Sequence, residues 1–440
     1  RGLGDVYKRQ IIAKVKPSLK ERGNNGARRK EYFNLETCHH DIYPDAAEFK
    51  VEEGKKIRTT DCIRYEFIPP RFIKHIYHQH YYACKGTVYA GSLPAVPLLN
   101  SNYDASFIAG ILQLRYIYSM PVERIIKLFA EHGFEMNKAT AHGLIKKAAG
   151  LFDLVEDVLK ETVLSDNYLS MDESYYTVLT SDTNNQSGKS TAKGYIWAAL
   201  ANHLKLVHFF YENGSRSRKV LTGYLREDYR GAIQSDGLGN YKIIEKEAYP
   251  DAIRLSCFQH CKRKFLNITG NKDAEKIVRI INRLYQNEHR IPPDWTACQI
   301  LDYRNKYAPP ILKELKEELI NIKNKKSTLP KSELSKAINY TLNEYDALCN
   351  YIRSADYAPD NNAIERLMRY ISLSRRNSLF CGSHQGAKRA ALIYSLACSC
   401  RLNNINSFEY FKDLLTKLID INPNTDHETI RNLLPHKWQR

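Results

Sequence analysis

The sequence predicts an α/β core that follows a helical region and is interrupted by a long helical insertion. Three observations lead to this fold class. Apolar residues recur at helical spacing over about 104–160, change to short strand-like runs after Ser165, and return to helical spacing between about 261 and 354. We therefore expect a mixed sheet flanked by helices.

The chain is long enough for two or three domains, since 440 residues exceed what one ordinary hydrophobic core supports. We place the domain boundaries where runs of charge end, where proline interrupts β-prone runs, and where the spacing of apolar residues changes between helical and strand-like. We predict a basic arm or linker at 1–30, a small strand-rich module at 31–100, a helical region at 101–162, an α/β domain at 163–402 with the insertion at about 266–355, and a helical tail at 403–440.

The charge of the chain favours a polyanionic partner. Lys and Arg total 66 against 49 Asp and Glu, a formal charge of +17, and positive charge binds phosphates with release of counterions. Nucleic acid is the first candidate, and an ordinary basic soluble protein is the alternative. No stretch approaches the roughly 20 apolar residues of a spanning helix, and we see no signal peptide, so we expect no membrane partner. The ten cysteines lack the spacing of a disulfide framework, which indicates a cytoplasmic location.

The helical region has the outline of a helix-turn-helix. The runs ASFIAGILQLRYIY, PVERIIKLFAEHG and NKATAHGLIKKAAGLF each follow helical spacing. Pro121 suits a first helical position, Gly133 a helix end and Asn137 an N-cap. Two short helices around a turn that contains Gly can place the second helix in a DNA major groove. An ordinary helical hairpin is the alternative.

The α/β domain begins with three predicted strands. The runs NYLSMDESYYTVLT, GYIWAAL and KLVHFFYE are rich in aromatic and β-branched residues, and a polar loop separates the first two. A helix through Leu225 and a short strand at GAIQSD follow. Trp197 lies on a predicted core strand, so we expect it to be buried.

Two aspartates and one glutamate are the candidate catalytic residues. Asp172 closes the apolar run NYLSMD, and Asp236 closes AIQSD before a turn; strand ends are where open α/β sheets place ligand groups. Glu365 lies on a helix after the insertion, on the face opposite an apolar stripe, and we expect it to be exposed. Carboxylate oxygens are the ligands that Mg²⁺ prefers, and metal ions held in this way activate nucleophiles for displacement at phosphorus.

Five blocks of residues match one known family in the same order. The longest is DNNAIERLMRYISLSRRNSLFCGSHQGAKRAALIYSLACSCRLN at 360–403, and the others are MDES, SDGLGNY, LSCFQHCKRKF and LLPHKW. On these residues the chain resembles the IS66 family of insertion-sequence transposases, which belong to the DDE class. The resemblance covers roughly 60–440 and is weakest before about residue 100.

The resemblance implies an RNase H-like catalytic core with a metal-binding triad of Asp172, Asp236 and Glu365. Such an enzyme binds the terminal inverted repeats of its own element, cleaves at the ends and joins the freed 3′-hydroxyls to double-stranded target DNA. Its cofactor is Mg²⁺, with Mn²⁺ as the alternative. The resemblance also implies a homo-oligomer on DNA, small accessory proteins of the same element, and a bacterial cytoplasmic protein that associates with the nucleoid when bound.

Further residues are candidates for DNA contact or active-site support. Guanidinium and ammonium groups pair with phosphate oxygens, and the basic residues expected near the triad are Lys262, Arg263, Lys264, Arg369, Arg375 and Arg376. For 262–264 the alternative is a solvated helix face. We expect support of the site from His260, Asn361, Asn362 and Tyr241. The imidazole would orient a phosphate or a carboxylate, and the tyrosine would either stack on a base or cap the sheet.

The chain departs from its relatives in the strand-rich module, where many carry paired Cys-x-x-Cys motifs. The metal-binding residue types left there are Cys38, His39, His40, Cys62 and Cys84. The module therefore resembles a degenerate zinc finger, and we expect no zinc there because no reliable ligand spacing remains. Likewise, Cys257, His260 and Cys261 are too few ligands for structural zinc.

Two other functions stay open from the sequence. A structure-selective nuclease with an RNase H-like fold would share the triad but lack strand transfer. A noncatalytic DNA-binding protein derived from a transposase would keep the basic surface and the helix-turn-helix. The presence of all three acids argues against this second alternative.

Overall fold

The structure is a computed structural model that describes residues 71–84, 87–90, 94–99, 101–179, 191–237, 239–242 and 249–439. The predicted basic arm and most of the strand-rich module lie outside these residues, as do Cys38, His39, His40 and Cys62. Of the polar loop predicted at 181–194, residues 181–190 also lie outside, whereas 191–194 belong to a strand, which corrects the predicted end of the loop. Within the module the structure describes one antiparallel hairpin, formed by β1 (Tyr81–Cys84) and β2 (Thr87–Ala90). The rest of the predicted module stays a prediction.

The helical region contains three helices, as the spacing predicts. They are α1 (Ala105–Leu112), which continues as a π-helical turn at Gln113–Ile117, α2 (Val122–Glu131) and α3 (Lys138–Leu164). The side chain of Asn137 accepts a 2.7 Å hydrogen bond from the backbone N–H of Thr140, so the predicted N-cap is confirmed. Gly133 follows α2 with φ +81°, a conformation that favours glycine. Pro121 was predicted at the first helical position but is the N-cap of α2, one residue before the first helical residue, Val122.

Five described strands form the central mixed sheet. They are β3 (Tyr168–Leu179), β4 (Thr191–Ala201), β5 (Leu206–Phe210), β6 (Ala232–Gln234) and β7 (Ile253–Leu255), in the order β5-β4-β3-β6-β7. The pairs β3–β4 and β4–β5 are antiparallel, whereas β3–β6 and β6–β7 are parallel. The predicted α/β core is therefore confirmed as a mixed sheet. Helix α4 (Arg218–Tyr224) connects its antiparallel half to its parallel half.

The outer strand β5 is covered by a helix from the C-terminal part of the chain. Helix α11 (His384–Leu402) lies against it. The Ser395 hydroxyl accepts from the N–H of Phe209 at 2.7 Å, and the Ser399 hydroxyl accepts from the N–H of Val207 at 3.0 Å. These bonds satisfy the backbone groups that an edge strand leaves unpaired.

The predicted insertion is helical and has its own core. It begins earlier than the predicted residue 266, with α5 (Phe258–Leu266), and continues with α6 (Lys272–His289), α7 (Ala297–Lys323), α8 (Glu333–Asn343) and α9 (Tyr345–Cys349), followed by a 3₁₀ turn at Asn350–Arg353. The predicted stripe of Leu312, Leu315, Leu319 and Ile322 is buried in that core. A buried pair fastens the insertion to the sheet: the guanidinium of Arg254 on β7 donates to the carboxylate of Glu344 at 2.5 Å.

The chain then returns to the sheet. Helix α10 (Asn362–Asn377) lies along β3, and α11, α12 (Ser407–Lys417) and α13 (His427–Arg431) complete the fold. Trp197 on β4 is fully buried, as predicted, and its indole N–H donates to the carbonyl of Ser215 at 2.9 Å. No described helix is both long and apolar enough to cross a membrane.

Candidate active site

The register between two parallel strands places Asp172 next to Asp236. Tyr168 pairs with Ala232 and Ser170 pairs with Gln234. The same register continued by two residues sets Asp172 beside Asp236, and neighbouring strands lie about 4.8 Å apart. Asp236 follows β6 at the start of a turn, as predicted.

The prediction that Asp172 ends a strand is wrong. Asp172 lies well inside β3, which continues to Leu179. The run Tyr175–Val178 after it is aromatic or β-branched, and β3 pairs with β4 through to Thr191. It is β6, on the other side, that ends at Gln234. Asp172 therefore lies just past the last paired position of its parallel neighbour, beside Asp236 in the segment that follows β6.

Helix α10 brings Glu365 to the same place. Asn361, the residue before α10, is buried, and its side-chain amide donates a 3.0 Å hydrogen bond to the carbonyl of Met171. This bond holds the first turn of α10, which contains Glu365, beside Asp172. The expectation that Glu365 is exposed is wrong: its side chain is only 23% exposed. Two side chains of α5 in the insertion, His260 and Arg263, lie beside the carboxylate of Glu365 and reduce its exposure.

The three predicted acids act on one another electrostatically. Burial raises the pKa of Asp172 well above its usual range, and the negative charges of Glu173, Asp236 and Glu365 raise it further. Among the described residues, Oε1 of Glu365 is also buried without a hydrogen-bond partner. Mutual repulsion and an unsatisfied carboxylate oxygen are both relieved by a bound cation. The three residues therefore fit a site for a divalent metal ion.

A fourth acid, Glu173, belongs to the site and was missed from the sequence. Its side chain is 2% exposed. Arg216 donates to its Oε1 at 2.8 and 3.1 Å, and the hydroxyl of Tyr241 donates to its Oε2 at 3.0 Å. Burial raises the pKa of Glu173 despite these two partners. The signal was present in the motif MDES, where a second acid directly follows Asp172.

The contacts of Tyr241 favour one of its two predicted roles. Its ring is fully buried and packs edge-on against Trp197, with ring centroids 6.4 Å apart. Its hydroxyl is bonded to Glu173. Tyr241 therefore packs against the sheet under the site and is not exposed for stacking on a base.

Residues of α5 surround the carboxylate of Glu365. Nδ1 of His260 lies 3.6 Å from its Oε1, and Nη2 of Arg263 lies 3.8 Å from its Oε2. The thiol of Cys257 accepts a 3.3 Å hydrogen bond from the N–H of Asn361. His260 thus lies where it can orient a carboxylate, which is one of the two roles expected for it.

The predicted phosphate-binding residues differ in their surroundings. Four of them are exposed to solvent: Arg263, Lys264, Arg369 and Arg376. Lys262 is half-buried. Lys262 and Lys264 lie above tyrosine rings of the insertion, with Nζ 5.8 and 4.2 Å from the ring centroids. Arg375 is engaged within the fold. Its Nη1 donates to the Tyr175 carbonyl at 2.6 Å and to the Ser174 hydroxyl at 3.0 Å, and its guanidinium lies 3.6 Å from the centroid of the Tyr175 ring.

The remaining predicted support residue, Asn362, opens α10. Its backbone N–H donates to the carboxylate of Asp360 at 3.0 Å.

The insertion also contacts the turn after Asp236, because the N–H of Gly237 donates to the hydroxyl of Tyr340 at 3.2 Å. A Cβ at Gly237 would overlap the ring of Tyr340. The turn that carries Asp236 is therefore held from the insertion side.

Comparison with known proteins points to one family. A family model described as "Transposase IS66 family" matches residues 100–389, about two thirds of the chain. This range includes all three candidate acids and the whole insertion.

Three uncharacterized proteins of Sinorhizobium fredii are similar in sequence. Uncharacterized protein y4jD is 26% identical over 371 residues, which are 81% of this chain and 70% of that protein. Uncharacterized protein y4hP is 24% identical over 365 residues, 76% of this chain and 62% of that protein. Uncharacterized protein y4qI is 24% identical over 384 residues, 83% of this chain and 69% of that protein. The chain thus spans about two thirds of the length of these relatives.

Among solved structures, the Drosophila P element transposase strand transfer complex is similar with a TM-score of 0.32 and 11% identity. The similarity covers 68% of this chain and 92% of that chain.

Proposed function

The chain belongs to the Transposase IS66 family, and from this premise we propose that it cleaves and joins DNA through a metal-binding triad of Asp172, Asp236 and Glu365. A transposase family is a family of DNA-processing enzymes, so the proposal concerns the site and the chemistry. One observation carries it. The register of β3 and β6 sets Asp172 beside Asp236, and the hydrogen bond from Asn361 to Met171 brings the first turn of α10, with Glu365, to the same strand, although a long insertion precedes α10 in sequence.

We assign the sheet and its helices to an RNase H-like core. The support is the order β5-β4-β3-β6-β7, in which an antiparallel three-stranded unit continues into two parallel strands. The candidate acids come from its central strand, from the end of the adjacent strand and from a helix packed on that central strand. The insertion enters after β7 and returns before α10.

The triad would hold Mg²⁺, with Mn²⁺ as the alternative. Three close carboxylates supply the hard oxygen ligands that these ions prefer. When bound, such ions activate water or a 3′-hydroxyl and stabilise the leaving oxygen in a displacement at phosphorus. The protein keeps the acids in place through Asn361, which fixes the start of α10, and through Tyr340, which holds the turn after Asp236. Glu173, bonded to Arg216 and Tyr241, keeps the strand rigid beside Asp172.

Positive side chains near the triad would bind the phosphates of the DNA backbone. Arg263 lies beside Glu365, Lys264 follows it on the exposed side of α5, and Arg369 and Arg376 are exposed on α10. A strip of cations beside a carboxylate cluster allows a polyanion to approach acids that would otherwise repel it. We do not include Arg375, because its guanidinium is already bonded to β3.

We propose that helices α2 and α3 bind the terminal inverted repeats in the way that a helix-turn-helix binds DNA. A short turn around Gly133 joins them, and the exposed side of the first half of α3 carries His142, Lys146 and Lys147. The second half of α3 packs one face into the core through residues such as Phe152, Val155 and Leu159, which anchors the helix. We further propose, from the resemblance alone, that the protein acts on DNA as a homo-oligomer in the bacterial cytoplasm, with small accessory proteins of its element.

The proposal is tested with DNA that carries the inverted repeats bracketing the gene. Binding, cleavage and joining are measured with Mg²⁺ for the wild type and for Asp172→Asn, Asp236→Asn and Glu365→Gln. We expect each variant to bind the DNA but to cleave and join it at least about a thousandfold more slowly. The exposed Glu275→Gln is the control and should behave as the wild type.

Each alternative function has its own outcome in this experiment. Cleavage and joining at wild-type rates by all three variants would contradict a catalytic role of the triad. Cleavage without joining by the wild type would indicate a nuclease. Binding without cleavage or joining in any protein would indicate a noncatalytic DNA-binding protein.

A further inference from the structure

We propose that Cys257, His260 and Glu365 form a second metal site, which takes a thiophilic divalent cation of the Zn²⁺ type. The proposed cation would share Glu365 with the Mg²⁺ site of the triad. The binding itself depends only on these three side chains. Its inhibitory effect, described below, rests on the proposed function.

The geometry brings three different donor atoms together. Cys257 is the N-cap of α5 and His260 lies in its first turn, so the Cys-x-x-His spacing puts both side chains at one end of the helix. Glu365 arrives from the first turn of α10. One ligand atom from each residue lies within 4.8 Å of the other two. Three donors from two separate helices therefore converge on one point.

Two of the donor atoms are left unsatisfied where they face each other. Nδ1 of His260 and Oε1 of Glu365 are both buried and, in the described part of the chain, neither has a hydrogen-bond partner. The distance between them is 3.6 Å, which is too long for a hydrogen bond. Two ligands of one tetrahedral zinc ion, at 2.0 to 2.2 Å from the metal, lie roughly 3.4 Å apart. A cation between these atoms would satisfy both with small side-chain movements.

The donor set selects the class of cation. Sulfur and imidazole nitrogen are soft or borderline ligands that favour Zn²⁺ over Mg²⁺, whereas Mg²⁺ takes oxygen ligands. Three protein ligands leave a fourth tetrahedral position open. The third ligand also explains why the sequence does not reveal the site. From spacing alone Cys261 is the obvious third residue, but it is buried outside this cluster, and Glu365 replaces it across the insertion.

Sharing Glu365 makes the two metal sites mutually exclusive. A Zn²⁺ ion held by Cys257 and His260 would draw the carboxylate of Glu365 toward α5 and away from Asp172. The positive charge of that ion would also oppose a Mg²⁺ ion at the triad. We therefore expect Zn²⁺ to inhibit Mg²⁺-dependent cleavage.

The test is a titration of the full chain with Co²⁺, a spectroscopic substitute for Zn²⁺, followed by displacement with Zn²⁺. Thiolate-to-cobalt charge-transfer absorption reports a cysteine ligand directly and does not depend on activity. The chain has ten cysteines, so the readout is the difference between proteins. We expect the wild type to bind one equivalent with this absorption that Cys257→Ser lacks. In His260→Ala and Glu365→Gln that equivalent should bind at least about tenfold more weakly.

Two variants serve as controls. Cys298→Ser removes an exposed thiol of α7, and Asp172→Asn removes an acid of the triad that is not part of the cluster. Both should keep the full cobalt signal. A signal that survives Cys257→Ser unchanged overturns the proposal, because the cation is then bound by other cysteines. If Cys257→Ser does not fold, as judged by circular dichroism, unchanged affinity in His260→Ala overturns it equally.

This outcome is independent of transposition. Loss of cleavage in Asp172→Asn together with retention of its cobalt site would support both proposals. A cobalt site in a protein that never cleaves DNA would support the second metal site and contradict the proposed function.

Discussion

The side-chain amide of Asn361 donates a 3.0 Å hydrogen bond to the backbone carbonyl of Met171, the residue before Asp172. The bond joins two distant parts of the chain, since Met171 lies on the central strand and Asn361 is where the chain returns from the insertion. Asn361 is 1% exposed, and its backbone N–H donates to the thiol of Cys257. One buried residue therefore aligns the triad and the proposed second metal site.

The first prediction concerns that residue. Asn361→Leu preserves the approximate volume but leaves the Met171 carbonyl without its donor. We expect the free energy of unfolding to fall by about 1–3 kcal/mol and DNA cleavage to slow by at least about tenfold, because Glu365 loses its position. Asn362→Ala is the matched control, since only the backbone of Asn362 makes its hydrogen bond to Asp360. Equal effects of the two substitutions would contradict this role for Asn361.

The second prediction separates two adjacent arginines. Arg375→Ala removes contacts with Ser174 and Tyr175, and we expect it to lower the free energy of unfolding by about 1–3 kcal/mol. Arg376→Ala should change stability by less than about 0.5 kcal/mol. It should instead weaken DNA binding and reduce the slope of log affinity against log salt by about 1. Urea unfolding and salt-dependent DNA binding measure the two effects, and a reversed pattern would show that Arg375 contacts DNA.

The third prediction concerns the turn after Asp236. Gly237→Ala places a Cβ against the ring of Tyr340, so either the ring or the turn must move. We expect cleavage to slow at least about tenfold. A Cβ at Gly239 meets no atom of the described residues within 4 Å, which makes Gly239→Ala the control. The rates of DNA cleavage by the two variants are measured with Mg²⁺. Equal rates for Gly237→Ala and Gly239→Ala would mean that Tyr340 does not hold the turn.

The fourth prediction is a pH dependence of stability away from the site. Burial of the His203 ring opposes protonation, but hydrogen bonds to Asp166 and Asp356 and their charges outweigh it and raise the pKa of His203. A pKa that is higher in the folded state stabilises the protein fully below the unfolded value of about 6.5 and loses that effect as pH rises through the folded pKa. The His203 side chain is 41% exposed, so the contribution is below about 1 kcal/mol.

The measurement is urea unfolding of the wild type and His203→Gln at about pH 6 and about pH 9. The free energy of unfolding of the wild type should exceed that of His203→Gln by a larger amount at about pH 6 than at about pH 9. The difference between the two proteins isolates His203 from the other histidines. A constant difference, or one that grows with pH, would contradict the sign.

Local signals in the sequence were sufficient for the three helices before the sheet and for the position of the sheet itself. Asn137 caps α3 because its side chain accepts a hydrogen bond within the first turn, and Gly133 follows α2 because that position needs a positive φ. Both effects involve neighbours in sequence, so a pattern shows them. The change from helical to alternating spacing near Ser165 likewise located the sheet.

The environment of the site depended on contacts that no pattern contains. Glu365 lies on the polar side of α10, and a periodicity cannot show that His260 and Arg263 of α5 lie beside its carboxylate. The position of Asp172 inside β3 was missed because β3 continues past the end of β6. How far each of two paired strands extends depends on both strands, so the sequence of one strand does not show it. Glu173 was overlooked because its partners, Arg216 and Tyr241, come from other elements.

The most direct test of the triad is a change of metal preference. Asp172→Cys replaces a hard oxygen ligand by sulfur, which accepts Mn²⁺ far better than Mg²⁺. If Asp172 holds the metal, this variant should be inactive in DNA cleavage with Mg²⁺ and regain activity with Mn²⁺. Asp172→Ala should stay inactive with both ions. Rescue of both variants, or wild-type cleavage by Asp172→Cys with Mg²⁺, would contradict metal binding by Asp172.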